Sequence, residues 1–177
     1  MSAFYDLCLR RQTCRNFADR PVEHEKLVSI VEAARTAPSA CNSQPWNFVV
    51  VESPAKVAEV AKLAMQLGGN AYIAGAKAFI VVVEEHAVLK PVISSIVDSQ
   101  QFAKGDLGAA TVLLTFEADA QGLGACQISL FDRENMRKVL DIPADKPIAS
   151  LIAIGYAADP KVRGKDRKPL ESVARFV

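Results

Sequence analysis

The sequence predicts an α+β sandwich in which long helices cover a small mixed sheet. Helical and strand patterns are mixed along the chain, and at least three strands are apolar almost throughout. These strands are few for a doubly wound dinucleotide-binding domain. The segment GLG (122–124) follows a helix and not a strand, so the Gly-x-Gly-x-x-Gly fingerprint of such domains is missing.

The N-terminal third is predicted to contain two helices and a strand. A short helix covers residues 2–11. A second helix opens at 21–25, because apolar residues recur from Leu27 at i, i+3, i+4 and i+7. Pro38 ends this helix, since proline disfavours helical geometry in the preceding residue. The run WNFVVVE (46–52) predicts a strand.

The middle of the chain continues with alternating helices and strands. Proline in a first turn predicts a helix over 53–67. The run AFIVVVE (78–84) is apolar almost throughout, which indicates a central strand covered on both faces. Residues 87–100 carry no clear pattern. A long helix covers 102–121, and ACQISL (125–130) is a strand or an extended loop.

The C-terminal part is predicted to hold a short helix at 133–140 and an apolar strand at 148–157. The basic tail ends in apolar residues, which suggest a short strand at 172–177. The length of 177 residues favours one domain over 1–177.

Composition excludes several classes of function. The formal net charge is +1, so nothing general favours nucleic acid or a membrane surface as a partner. The longest apolar runs are too short to span a bilayer, and the start has no signal-peptide pattern. The four cysteines form no C-x-x-C pair, which favours reduced thiols in the cytoplasm. With two histidines, a multi-histidine metal site is not expected.

Two basic clusters are candidates for binding an anion. The first is RRQTCR (10–15), directly after the first helix, and the second is KDRK (165–168). Arginine suits phosphate because its planar guanidinium donates two parallel hydrogen bonds. Either cluster alone is also explained as a solvated surface, so their convergence on one phosphate is a hypothesis.

The segment APSACNSQPW (37–46) is the third candidate. It places Ser39, Asn42 and Gln44 between two prolines and beside the only tryptophan. Amide side chains carry both donors and acceptors, which suits the polar edge of a planar heterocycle. A proline-bounded loop between helix and strand explains the same residues. We expect Trp46 to pack in the core.

Four motifs occur together in a characteristic order and spacing: RRQTCRNF; EAARTAPSACNSQPWNFVVV; DLGAATVLL with AQGLGACQISLFD; and LIAIGYAADP with KDRKPLESV. Through them, nearly the whole chain resembles the FMN-dependent nitroreductase family, which are oxygen-insensitive flavoproteins that use NAD(P)H. The resemblance implies an α-β-α sandwich around a small mixed, mainly antiparallel sheet. It also implies an intertwined homodimer with two FMN molecules at its interface.

The resemblance also implies a set of FMN-binding residues. The N-terminal segment and the basic tail would hold the phosphate, and a loop from the partner subunit would line the ring. Asn70 would contact the polar edge of the ring, and the backbone N–H groups at Ser129 or Leu130 would face flavin N5. The full set is Arg10, Arg11, Gln12, Thr13, Arg15, Pro38, Ser39, Ala40, Asn42, Gln44, Asn70, Ser129, Leu130, Lys165 and Arg167.

The activity implied is reduction of nitroaromatics, quinones or related electron-poor acceptors by NAD(P)H, in a ping-pong hydride mechanism. Arg15 would stabilise the anionic reduced flavin, and no dedicated catalytic side chain is expected because solvent can supply protons. Alternatives stay open: a same-fold flavoprotein that dehalogenates or cleaves flavin, a non-catalytic flavin-binding or sensing protein, and an unliganded α+β domain. The choice between NADH and NADPH is also open.

Two departures from the family pattern affect these expectations. Many members have glycine where this chain has Ser129 or Leu130, so the leucine side chain lies either near the reactive face or in the core. The region 86–104 is short, which favours an open site or a mobile lid.

Overall fold

The computed structural model describes residues 2–177 and contains six α-helices and four β-strands. Most element boundaries agree with the sequence patterns to within two or three residues, as is usual for helix and strand ends. The helices are α1 (Ala3–Arg10), α2 (His24–Ala34), α3 (Pro54–Met65), α4 (Pro91–Ser94), α5 (Gln100–Ala120) and α6 (Arg133–Val139). The strands are β1 (Trp46–Val51), β2 (Ala78–Glu84), β3 (Gly124–Ile128) and β4 (Ile148–Gly155).

The four strands form one sheet in the order β1-β2-β4-β3, and each neighbouring pair is antiparallel. One isolated parallel bridge joins Thr13 to Ala125 beside β3. The predicted mixed, mainly antiparallel sheet is confirmed, and its parallel component is this single bridge. The bridge brings the segment that follows α1 to the edge of the sheet.

The two central strands are buried on both faces, as the apolar run at 78–84 predicts. Successive side chains of a strand point to opposite faces. Phe79 and Val81 therefore lie in a core beneath α3 and α6, whereas Ile80 and Val82 lie in a second core beneath α2 and α5. Helices thus cover both faces of the sheet, which confirms the α-β-α sandwich. Trp46 packs against the second core, as expected.

The predicted strand at 172–177 is wrong. The tail has a 3₁₀ turn at Leu170–Ser172, and its last backbone hydrogen bonds close that turn. A strand needs a neighbour for its hydrogen bonds, and the tail pairs with none of the four strands. Its apolar side chains are instead exposed. The unassigned region 87–100 contains only the single turn of α4.

No helix within the described residues combines the length and the apolar character needed to cross a bilayer.

Replacing Gly124 with alanine should lower the free energy of unfolding by about 1–3 kcal/mol, as overpacking does elsewhere. A Cβ at this position would lie 2.6 Å from Cys14 Cβ and 2.7 Å from Cys14 Sγ, so β3 and the segment after α1 would separate. Chemical denaturation measures the change. Gly105→Ala is the matched control: a Cβ there meets nothing within 4 Å, and the helix should gain roughly 0.5–1 kcal/mol. Equal stability of the two variants would contradict the close approach at Gly124.

Candidate functional site

The segment after α1 is extended and attached to β3. Cys14 N–H donates to Ala125 O at 2.9 Å, next to the bridge between Thr13 and Ala125. Side chains of an extended segment alternate between two sides. The Cys14 side chain is buried against Gly124, so Thr13 lies on the opposite side.

The C-terminal basic segment crosses this N-terminal segment. Gln12 Nε2 donates to Lys161 O at 2.8 Å, and Arg163 Nε donates to Gln12 Oε1 at 3.0 Å. Nη2 of the same guanidinium donates to Thr13 O at 2.7 Å. Lys165 Nζ donates to Arg11 O. The structure therefore brings the two basic clusters of the sequence together.

Three cations gather where the segments cross. The pKa of Lys165 lies below its usual range, first because of partial burial and then because of the positive charges of Arg11 and Arg167. Like charges held this close destabilise one another unless an anion joins them. The donor set, which also includes the hydroxyl of Thr13, has the chemistry of a phosphate site.

Two cavities adjoin the N-terminal segment and share Thr13. The larger, about 450 Å³, lies beneath the C-terminal crossing, and the smaller, about 390 Å³, lies against α5. The larger is lined by Arg10, Gln12, Thr13, Cys14, Arg15, Asn16, Asp119, Gly122, Leu123, Gly124, Ala157, Asp159, Pro160, Lys161, Val162 and Arg163. The smaller is lined by Arg11, Thr13, Gly108, Thr111, Val112, Thr115, Phe116, Ala125 and Gln127. Both volumes are within the range of small-molecule sites.

Two residues predicted to contact a ligand make internal contacts. Arg10 pairs with Asp119 at the end of α5, with 2.8 Å between Nε and Oδ2. The amide of Gln12 binds the backbone at Lys161 and the side chain of Arg163. Both residues therefore help to join the N-terminal segment to its surroundings.

Asn70 is buried and its amide is engaged by three groups. Its Nδ2 donates to Ala64 O at 2.8 Å and to Leu130 O at 2.7 Å, and its Oδ1 accepts from Tyr72 O–H at 2.9 Å. In this arrangement Asn70 positions the turn that contains Leu130. A direct contact of Asn70 with a ring stays a prediction. A contact from Nδ2 would replace one of these hydrogen bonds, whereas Oδ1 keeps a second lone pair.

The residues of the Ser129–Leu130 turn are exposed. Its carbonyls are occupied: Ser129 O accepts from Arg133, and Leu130 O accepts from Asn70. Among the hydrogen bonds of the described chain, none uses the N–H of Ser129 or Leu130. The Leu130 side chain is 58% exposed, so it does not enter the core.

Arg15 lies beside Tyr72, with 5.6 Å between its guanidinium carbon and the centre of the ring. Burial raises the pKa of Cys126, and the charge of Arg15 offsets part of that rise. An exposed arginine therefore stands beside the same tyrosine that binds Asn70.

The loop at 38–44, which we call the αL loop, is separate from both cavities. Its backbone is left-handed at Cys41, Asn42 and Gln44, with φ between 51° and 55°. Its predicted site residues, Pro38, Ser39, Ala40, Asn42 and Gln44, are half-buried or exposed, and none lines either cavity. Within one chain, the structure does not bring this loop to the N-terminal segment.

Residues absent from the sequence-based prediction also contribute. Lys161 and Arg163 belong to the basic run KVRGKDRK, whose charge was the available signal. Asp106 on α5 accepts a hydrogen bond from Ala40 N–H at 3.0 Å. Asp106 opens the motif DLGAATVLL, but that motif does not predict its contact with Ala40, because the two residues lie 66 positions apart.

Comparison with known proteins gives one family. The family model described as "Nitroreductase family" matches residues 9–80 and 55–156. A protein named NADH dehydrogenase from Thermus thermophilus is 30% identical, over 93% of this chain and 91% of its own length. A protein named FMN reductase [NAD(P)H] from Bacillus subtilis is 27% identical, over 92% of this chain and 68% of its own length.

The fold agrees with solved structures. A crystal structure from Streptococcus pneumoniae, described as a nitroreductase family protein, superposes with a TM-score of 0.84. It is 24% identical and covers 98% of this chain and all of its own. At that identity the likeness shows the fold, and the family model shows membership.

Proposed function

This chain belongs to the nitroreductase family, and we propose that it is an FMN-dependent oxidoreductase. It uses NAD(P)H to reduce nitroaromatics, quinones or related electron-poor acceptors. The observation that carries the proposal is the crossing of the two basic segments. There Lys165 Nζ donates to Arg11 O, and burial together with the charges of Arg11 and Arg167 lowers the pKa of Lys165. The relative named FMN reductase [NAD(P)H] supports the same cofactor and the same reductant.

The phosphate of FMN is assigned to this crossing. Arg11 and Arg167 supply planar guanidinium groups, and Lys165 supplies a point charge. Thr13 adds a hydroxyl beside the smaller cavity. A phosphate between these groups offsets their mutual repulsion, so the donor set fits this part of the cofactor.

The flavin ring is assigned to the region between Arg15 and the Ser129–Leu130 turn. When bound, the flavin supplies the hydride and electron chemistry. The N–H groups of Ser129 and Leu130, which donate to no group within the described chain, orient the ring. Asn70 holds this turn in place by donating a hydrogen bond to Leu130 O. Arg15 supplies positive charge, and we assign no side chain as acid or base.

A second copy of the chain completes each site. Helix α1 buries none of its residues, although it carries apolar side chains, and the tail is equally exposed. A partner subunit would cover these surfaces and place its αL loop against the ring, giving two FMN molecules per dimer. The exposed large apolar side chains of α1, α5 and the tail are Phe4, Tyr5, Leu9, Phe102, Val112, Val162, Leu170, Val173, Phe176 and Val177.

The purified protein should bind FMN and oxidise NADH or NADPH when a nitroaromatic or quinone acceptor is present. Arg11→Ala should weaken FMN binding by about tenfold or more, because a charge-assisted contact with phosphate is lost. Arg35→Ala is the control, since Arg35 pairs with Glu32 on the surface of α2. Absorbance spectra, FMN titration and steady-state rates measure these effects.

The same measurements separate the alternatives. A protein that binds FMN but is reduced by neither nicotinamide would be a flavin-binding or sensing protein. Loss of halide from halogenated phenols without nitroreduction would indicate dehalogenation. Absence of FMN binding at any concentration tested would overturn the proposal.

The affinity for FMN should fall as pH rises through the lowered pKa of Lys165. Burial and the neighbouring arginines lower this pKa in the free protein, and a bound phosphate favours the protonated amine. Binding is therefore strongest while Lys165 is charged. Titrations from about pH 7 up to about pH 10.4, the ordinary pKa of lysine, measure the decline. Lys165→Arg keeps its charge at all these pH values and should flatten the profile; an unchanged profile in this variant would contradict the assignment.

Arg15→Ala should lower the midpoint potential of the bound flavin by roughly 30 mV, which is about 1.4 kcal/mol for two electrons. The reduced flavin is more negative than the oxidised one, so removal of a nearby cation disfavours reduction. Arg15→Lys keeps the charge and should stay within a few millivolts of the wild type. Potentials measured against redox dyes report the effect without turnover, and equal values for alanine and wild type would refute the role of Arg15.

A further inference from the structure

The αL loop has a backbone that Cys41 and Gln44 do not favour, although asparagine tolerates it at position 42. Cys41, Asn42 and Gln44 all have positive φ, and none of them is glycine. Non-glycine residues persist in this conformation only where surrounding contacts impose it. The contacts that impose it here therefore control the shape of the loop.

One of these contacts comes from α5. Asp106 Oδ2 accepts a hydrogen bond from Ala40 N–H at 3.0 Å, and the short turn Ala40–Asn42 packs on the helix. Contacts inside the loop are local: Ser39 Oγ accepts from Gln44 N–H at 3.0 Å. Among the hydrogen bonds of the described chain, Ala40 N–H donates to Asp106, and Val88 N–H donates to Ser43 Oγ at 2.6 Å from outside the loop. The bond to Asp106 is the one that ties the left-handed stretch to a helix.

The same helix borders the smaller cavity. Gly108, Thr111 and Val112 line that cavity and follow Asp106 by half a turn to about two turns. Thus α5 forms part of the site of its own chain and anchors the loop that is assigned to the partner's site. Asp106 therefore connects the helix that lines the cavity with the αL loop.

We propose that Asp106 is a positioning residue for the FMN site of the partner subunit. It holds the αL loop in the left-handed conformation that presents Ser39 and Asn42 to the ring. Asp106 itself touches no cofactor. The inference rests on the proposed function, since it assumes FMN at a site shared between two chains.

Asp106→Ala should raise the Kd for FMN about tenfold, chiefly through faster dissociation. Asp106→Asn keeps an oxygen acceptor of the same size and should stay within about threefold of wild type. Ala40→Pro removes the N–H that donates to Asp106, and it should raise the Kd for FMN as much as Asp106→Ala does. Lys104→Ala, on the exposed part of α5, is the control.

Hydrogen exchange reads the contact directly. The amide of Ala40 should exchange faster in Asp106→Ala than in wild type, and at the wild-type rate in Asp106→Asn. Amides within α5 should be unchanged, which shows that the helix is folded. If Asp106→Ala does not fold, Ala40→Pro provides the same comparison of Kd against Asp106→Asn.

Mixed dimers carry the sharper test. With Arg11→Ala in one chain and Asp106→Ala in the other, both defects fall on one site, and the dimer keeps one tightly bound FMN. With both substitutions in one chain, each site has one defect, and no site binds at wild-type affinity. The two dimers contain the same substitutions, so general destabilisation cannot separate them.

The possible failures are distinguishable. A wild-type protein that does not bind FMN overturns the proposed function. A wild-type protein that binds FMN, combined with an unchanged Kd in Asp106→Ala, overturns only the role of Asp106. Asp106 does not act on the partner's site if both mixed dimers hold the same amount of FMN. The same conclusion follows if the dimer with both substitutions in one chain is the one that keeps a tightly bound FMN.

Discussion

The attachment of residues 11–15 to the edge of β3 is the contact on which the candidate site depends. Cys14 N–H binds Ala125 O, and the missing side chain of Gly124 lets Cys14 approach. This places Thr13 beside the smaller cavity and leaves Thr13 O for Arg163. The basic tail thus crosses a segment that the sheet already holds in place.

The crossing holds three positively charged side chains close enough to repel one another. Arg11, Lys165 and Arg167 lie close enough for the arginines to lower the pKa of the lysine. The carboxylate of Asp119 offsets part of this repulsion, but it pairs with Arg10, and the pKa of Lys165 stays lowered. The FMN phosphate proposed at the crossing would offset the remaining repulsion, so the tail and the ligand would stabilise each other.

The fold predicted from the sequence is confirmed, whereas the ligand-binding roles of its polar residues stay predictions. Apolar runs such as 78–84 allow few alternatives to a buried strand, and the family likeness from the motifs is confirmed. Gln12 and Asn70 were predicted to face a ligand, yet their amides bind Lys161, Arg163, Ala64, Leu130 and Tyr72. An amide has the same donors and acceptors for a backbone as for a heterocycle, so residue type does not distinguish the two uses. The strand predicted at 172–177 was wrong, because apolar residues indicate that a segment needs burial but do not identify the neighbour that buries it.

By itself, the sequence determined where most strands and helices lie, which segments are basic, and to which family the chain belongs. These properties depend on residues near one another in the chain, where periodicity, proline and charge act directly. Only the tertiary structure decided the strand order, the crossing of 11–15 by the tail, and the bond from Asp106 to the αL loop. These features join residues up to about 150 positions apart, and such pairs form only when packing of the whole sheet and its helices brings them together.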